Sequence, residues 1–132
     1  MQVKIDTREK FHVIRISEGR LAANMTAELD KKLSPILQND VKNAILNLKD
    51  IETLDNAAAE WLVTTQQKFY EQNSSFVICE MSKQLEEQLD SFNLLEMLNT
   101  TPTESEASDI VQMEEIERDL MDDESSLPDQ AH

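Results

Sequence analysis

This 132-residue chain is organised around residues 41–72, VKNAILNLKDIETLDNAAAEWLVTTQQKFYEQ. The apolar run at residues 44–48 is short and ends before an Asp, which favours a buried strand over a piece of helix. Asp55 or Asn56 can cap the next element with a side-chain oxygen. That element contains no Gly or Pro, and its spacing places on one side of a helix Ala58, Leu62, Thr65 and Phe69. We therefore predict a strand, a tight loop and a helix, around which the rest of the chain packs.

Upstream of this stretch the pattern predicts a β-hairpin and then a helix. Apolar residues alternate with charged ones at residues 3–5, and a second β-rich run covers residues 11–16. Gly19, the only glycine, is expected to supply a positive φ at the turn that follows. Residues 24–38 have the spacing of an amphipathic helix, which Pro35 should kink or restart in its last turn.

Downstream, residues 74–81 predict another buried strand, and a third helix is expected from about Ser82. Residues 100–103 break the chain before a last helix over residues 104–121. The order β-β-α-β-α-β-α-α predicts a single small α/β domain over residues 1–121. We expect a mixed β-sheet of about four to five strands packed with about four helices, and parallel pairing among the later strands. Residues 122–132 are predicted to be an acidic, disordered tail.

Composition restricts the classes of function. The formal net charge is −15, and residues 100–132 hold eleven of the 27 acidic residues but only one of the 12 basic ones. Such a polyanionic segment repels nucleic acid and anionic lipid. It could attract a basic partner, or it could be a solvated tail that only aids solubility, which the composition favours. One cysteine excludes an internal disulfide framework. No apolar stretch reaches the length of a membrane span. These features predict a cytoplasmic protein of bacterial type, with no nucleic-acid partner and no membrane insertion.

The sequence carries no recognisable catalytic or metal-binding motif. One glycine cannot form a phosphate-binding loop, and no residues have zinc-ligand spacing. His12 lies in a predicted strand without a neighbouring ligand or nucleophile, and Cys79 is interpreted as a small buried hydrophobe. We therefore predict a protein that is not an enzyme, with no cofactor and no metal.

The segment NLKDIETLDNAAAEWL resembles the signature of the STAS domain, the family of bacterial anti-sigma factor antagonists. In that family a strand ends in Asp-Leu-Ser, and after a short apolar link Asp-Ser-Ser-Gly opens a helix. Residues 47–49 (NLK) match the strand end, and residues 54–58 (LDNAA) match the start of the helix. Residues 17–21 (SEGRL) are similar to the family's Gly-Arg-Leu, and residues 103–107 (TESEA) to its Thr-x-x-x-Ala. The resemblance covers residues 2–121 and implies the same fold.

The resemblance also implies a function. In the family, the unmodified protein binds an anti-sigma factor, often a Ser/Thr kinase of the GHKL type, and phosphorylation of a Ser or Thr releases it. That phosphoacceptor falls on Ala57, which has no hydroxyl, while Asp55 is retained. The implied function is a protein-interaction module that binds its partner through residues 55–61 without the usual switch. The alternative is a non-catalytic STAS subunit of a transporter or a larger signalling assembly.

Six residues around the start of this helix form the predicted partner-binding surface. They are Asp55, Asn56, Ala57, Ala58, Trp61 and Thr64. The only tryptophan could be an interface anchor, since aromatic residues are enriched at binding hot spots. It could equally pack against a neighbouring helix. The segment DNAAA is also compatible with an ordinary capped helix start that has no partner.

Overall fold

The computed structural model, which describes residues 1–126, is built on a mixed β-sheet. The strands are β1 (Val3–Thr7), β2 (His12–Ile16), β3 (Arg20–Leu21), β4 (Ala44–Asn47), β5 (Thr53–Leu54), β6 (Phe76–Cys79) and β7 (Thr100–Thr101). The α-helices are α1 (Thr26–Leu33), α2 (Asn56–Glu71), α3 (Lys83–Ser91) and α4 (Glu104–Ser126). Five strands form one sheet in the order β1-β2-β4-β6-β7, and β3 pairs with β5 separately. The predicted fold class is confirmed.

The central strands are parallel and buried on both faces. β1 and β2 form the predicted antiparallel hairpin, whereas β2, β4, β6 and β7 pair in parallel. Ile45 lies in register between Val13 and Val77, and every residue of β4 and β6 is buried. A strand buried on both faces reads as a continuous apolar run, which explains why ILNL and FVIC signal strands without a polar alternation.

Side-chain alternation along the strands divides the interior into two cores. The first joins the sheet to α1, α2 and α3 and includes Ile14, Leu46, Ile78, Leu29, Leu62 and Leu85. The second joins the sheet to α4 and consists of Val13, Ile45, Val77, Cys79, Ala107 and Val111. Successive strand residues point to opposite faces, so α1–α3 cover one face of the sheet and α4 covers the other.

The helix predicted over residues 24–38 breaks where the proline predicts. α1 ends at Leu33, and a 3₁₀ turn over Ser34–Gln38 follows with Pro35 in its first turn. Proline has no N–H to continue the α-helical ladder, but it is accommodated in a first turn, where that donor has no intrahelical partner.

Three details differ from the predictions. Gly19 does not take a positive φ; Asn73, Glu80 and Asn93 do. Thr100–Thr101 forms strand β7, whereas the prediction gave an irregular connection at this point. Two residues carry too little pattern to predict a strand, and this one forms because it pairs with Ile78 and Cys79. The last helix continues past residue 121 to Ser126. The predicted tail boundary therefore falls inside α4, and residues 127–132 lie outside the described part of the chain.

Candidate functional site

Asp55 organises the start of α2. It is the N-cap residue, and its Oδ1 accepts a hydrogen bond of 2.8 Å from the backbone N–H of Ala58. Its Oδ2 accepts a second bond of 3.0 Å from the N–H of Ala23, in the segment before α1. A helix start leaves backbone donors without intrahelical partners, and a capping carboxylate satisfies one of them. One side chain thus caps α2 and ties it to the chain entering α1.

The loop that presents Asp55 is held by the small two-stranded sheet. Arg20 and Leu21 of β3 pair in parallel with Thr53 and Leu54 of β5. The N–H of Asp55 donates to the carbonyl of Leu21 at 3.2 Å, and Gln88 of α3 accepts from the N–H of Leu54 at 2.9 Å. A backbone contact from β3 and a side-chain contact from α3 therefore fix the position of the loop.

The Asp55 carboxylate is a stabilised anion. The bonds from the N–H groups of Ala23 and Ala58 lower the pKa of this carboxyl below its ordinary value, and Arg20 adds a smaller effect in the same direction. The Arg20 guanidinium lies 3.9 Å from Oδ2, and its side chain is largely exposed. A shallow depression next to this pair is lined by Glu18, Gly19, Arg20, Ala22, Ala23, Asn24, Met25, Glu52 and Asp55. The site is a polar, charged surface rather than an enclosed cavity.

Four of the six predicted surface residues are accessible. Asn56, Ala57 and Thr64 are exposed, and Asp55 is half-buried. Ala57 is the second residue of α2, so its methyl group points outward from the first turn. The position that the resemblance predicts for the phosphoacceptor, Ala57, therefore lies at an exposed helix start.

The other two predicted surface residues are buried, which corrects the prediction. Ala58 is fully buried and Trp61 is only 9% exposed. The indole N–H of Trp61 donates to Oδ1 of Asp30 in α1. The tryptophan thus packs against a neighbouring helix, the second of the two interpretations given above, because α1 covers this flank of α2. Ala58 therefore offers no exposed area to a partner, and Trp61 offers only a small edge.

Sequence reasoning missed some residues that build the site. Arg20 lies in the segment that resembles the family's Gly-Arg-Leu, so the sequence marked it as part of the family pattern. Nothing in the sequence predicted that it lies beside Asp55. Ala23 contributes only its backbone N–H, and Gln88 only its side-chain oxygen. No sequence pattern marks either contact, since each depends on elements that are distant along the chain.

The described residues offer little else in the way of chemistry. His12 is buried in β2, where its ring lies 3.0 Å from the Thr7 hydroxyl and 2.8 Å from the Val41 carbonyl. Cys79 is buried, and burial raises the pKa of its thiol to about 12. Within residues 1–126, no three His, Cys, Asp or Glu side chains are grouped to hold a metal ion. None of the helices described there is both long and apolar enough to cross a bilayer.

Comparison with known proteins agrees with this architecture. The model of the STAS domain family matches residues 2–107. An anti-sigma factor antagonist from Mycobacterium paratuberculosis superposes with a TM-score of 0.72 at 14% identity, covering 84% of this chain and 93% of that one. The unphosphorylated form of SpoIIAA, known from Bacillus, superposes with a TM-score of 0.67 at 18% identity, covering 84% of this chain and 96% of that one. An RsbS variant from Moorella thermoacetica superposes with a TM-score of 0.71 at 17% identity, covering 85% of this chain and 96% of that one. No curated protein sequence matches this chain.

Proposed function

Because this chain belongs to the STAS domain family, we propose that it is an anti-sigma factor antagonist that binds its protein partner through the start of α2. The proposed contact surface consists of the accessible residues Asp55, Asn56, Ala57 and Thr64. The observation that carries the proposal is the exposure of Ala57 beside the capping residue Asp55. This is where the family resemblance puts the phosphoacceptor, and therefore the surface that a partner must sense.

The proposed partner is an anti-sigma factor of the GHKL-type Ser/Thr kinase class in the bacterial cytoplasm. Phosphorylation would add about −1.5 to −2 charges in the first turn of the helix, where backbone N–H groups can stabilise them. Ala57 cannot carry this group. The chain therefore stays competent to bind when such a kinase is active, and its release depends on something other than modification at Ala57.

A second candidate function is a non-catalytic subunit of a larger signalling assembly. One solved structure that this chain resembles is that of the stressosome, a signal integration and transduction hub. Its TM-score is 0.65 at 14% identity, which supports the fold alone. Genes beside this one distinguish the candidates: a GHKL-type kinase or a sigma factor favours the antagonist, and assembly components favour the second function. A transporter operon would favour a transporter subunit instead.

The test is a charge placed at the proposed contact. Ala57→Asp adds a carboxylate in the first turn of α2, where the helix dipole tolerates it. At the contact surface the charge would be desolvated, and affinity for the host's GHKL-type anti-sigma kinase should fall at least tenfold, about 1.4 kcal/mol. Ser105→Asp is the matched control, since Ser105 is the exposed second residue of α4 on the other face of the sheet. Calorimetric titration that gives wild-type affinity for Ala57→Asp would overturn the proposal.

A further inference from the structure

α4 carries an apolar stripe on its outward side. Met113, Ile116 and Leu120 are 61%, 59% and 57% exposed, and Met121 beside them is 66% exposed. Residues three and four apart in a helix lie on one side of it, so the first three form a continuous strip about two turns long. Isolated exposed apolar side chains are ordinary. A set of them aligned on one helix is typical of a helix face that packs against another element or another protein.

The orientation of α4 is fixed by contacts on its opposite side. Ala107 and Val111 are fully buried in the second core. One turn further along, Glu114 accepts hydrogen bonds from the Tyr70 and Ser75 hydroxyls at 2.8 and 2.5 Å.

Arg118 extends these contacts towards the end of the helix. Its guanidinium donates to Ser75 Oγ and to Asn43 Oδ1, each at 3.1 Å. Asn43 in turn donates to Glu115 at 2.9 Å. Apolar packing and polar contacts therefore hold the same side of α4 against the domain, and the stripe cannot turn inward without breaking them.

The surroundings of the stripe are acidic. Glu106 and Asp109 continue its line towards the start of α4, and Glu117 lies beside it; all three are exposed. Arg118 is the only basic residue in residues 100–132, and it is engaged on the inward side. The outward side of α4 from Glu104 to Met121 thus carries the apolar stripe, and every charged side chain around the stripe is negative.

We propose that this stripe is a docking surface for a basic amphipathic helix of a partner protein. Such a helix would bury its apolar residues against Met113, Ile116 and Leu120 and place Lys or Arg beside the flanking carboxylates, as charged flanks do in coiled coils. A second copy of this chain would bring like charges together along both flanks, which disfavours self-pairing. An anionic membrane surface is repelled for the same reason.

The docking surface is separate from the proposed anti-sigma contact. α2 and α4 cover opposite faces of the sheet, and their buried residues belong to the two different cores. One chain could therefore hold the anti-sigma partner and a basic helix at the same time. Failure of either proposal leaves the other intact.

The test uses synthetic peptides of about 18 residues, five helical turns. The first has Leu at helical spacing with Lys at the other positions, the second has Glu in place of every Lys, and the third is a scramble of the first. Fluorescence anisotropy with the full chain should show saturable binding of the first peptide only. The double variant Ile116→Gln/Leu120→Gln should weaken it at least tenfold. Met97→Gln is the control, because Met97 is 50% exposed but lies outside α4, and it should bind as wild type.

Several results would overturn the proposal. Equal binding of the scrambled peptide would show attraction by charge alone, and full binding by the double variant would place the contact elsewhere. No binding of the Lys peptide would exclude this occupant. Dimerisation in sedimentation experiments that the double variant abolishes would assign the stripe to a second copy. Circular dichroism should show unchanged melting for both variants, which separates lost binding from lost folding.

Discussion

The indole N–H of Trp61 donates a hydrogen bond of 2.7 Å to Oδ1 of Asp30. This bond joins α2 to α1, the two helices whose starts lie on either side of the Asp55 cap. The tryptophan therefore supports the candidate site from inside the domain, by keeping α2 beside the segment whose Ala23 N–H also binds Asp55. Tryptophan is a residue type that is common at binding interfaces, but here it connects two helices inside the domain.

Trp61→Phe is expected to destabilise the protein without directly altering the exposed surface. The variant loses a hydrogen bond to a carboxylate as well as part of a buried ring, so the free energy of unfolding should fall by about 1–3 kcal/mol. Urea denaturation followed by circular dichroism measures the change, since the variant has no tryptophan fluorescence. Asp30→Asn keeps an acceptor oxygen and should cost less. Equal stability of wild type and Trp61→Phe would show that the bond contributes nothing.

Two substitutions at Asp55 separate its capping role from its charge. Asp55→Ala removes the side-chain acceptor for the Ala58 N–H and should cost about 0.5–2 kcal/mol of unfolding free energy. Asp55→Asn keeps a good N-cap and should cost less. Thermal unfolding at neutral pH compares the pair. If both variants lose the same amount, the charge rather than the cap stabilises the helix start.

The Asp55 carboxylate also predicts that the stability of the protein depends on pH. The backbone N–H groups of Ala23 and Ala58 lower the pKa of Asp55 in the folded protein. The stabilisation from its charge is therefore fully present above the unfolded-state pKa of about 3.9 and is lost as pH falls through the lower, folded-state pKa. The stability difference between wild type and Asp55→Asn should be constant from about pH 6 to 8 and shrink below pH 4. A difference that grows on acidification would contradict the direction of the shift.

Phosphorylation should be absent from residues 53–58 of the natural protein and should return with a hydroxyl at residue 57. Thr53 is the only hydroxyl residue in that segment, and it lies partly buried in β5. Ala57→Ser creates an exposed hydroxyl in the first turn of α2, where the helix start favours the phosphate charge. Incubation with the proposed partner, a GHKL-type kinase of the host, followed by mass spectrometry should detect phosphate in Ala57→Ser only. Stoichiometric phosphate on Thr53 would contradict the prediction.

The thiol of Cys79 should be unreactive in the folded protein. It is fully buried, and burial raises its pKa to about 12. The thiolate is the reactive form, so alkylation by iodoacetamide at pH 8 should be at least about a hundredfold slower than in the urea-unfolded chain. Because the chain has one cysteine, mass spectrometry reads the rate without ambiguity. Similar rates in both states would mean that the strand opens readily.

Elements with local sequence signals could be predicted without the structure. Apolar runs without alternation identified β4 and β6, because a strand buried on both faces needs no polar side. A capping residue before a stretch without Gly or Pro identified the start of α2, and Pro35 predicted where the first helix breaks. The absence of a hydroxyl at Ala57 is equally a property of the sequence, and no fold can supply one.

Other features depend on residues that are distant along the chain. Trp61 is buried because α1 brings Asp30 against it. Gly19 does not take a positive φ, and its carbonyl accepts the N–H of Glu52. The outward direction of the apolar stripe on α4 depends on Ser75 and Asn43 holding Arg118. Helical periodicity reports that apolar residues share a side, but not which side meets the domain. The side of the helix that faces the domain is fixed by packing, because it depends on contacts with elements that are distant in the sequence. No local pattern encodes these contacts.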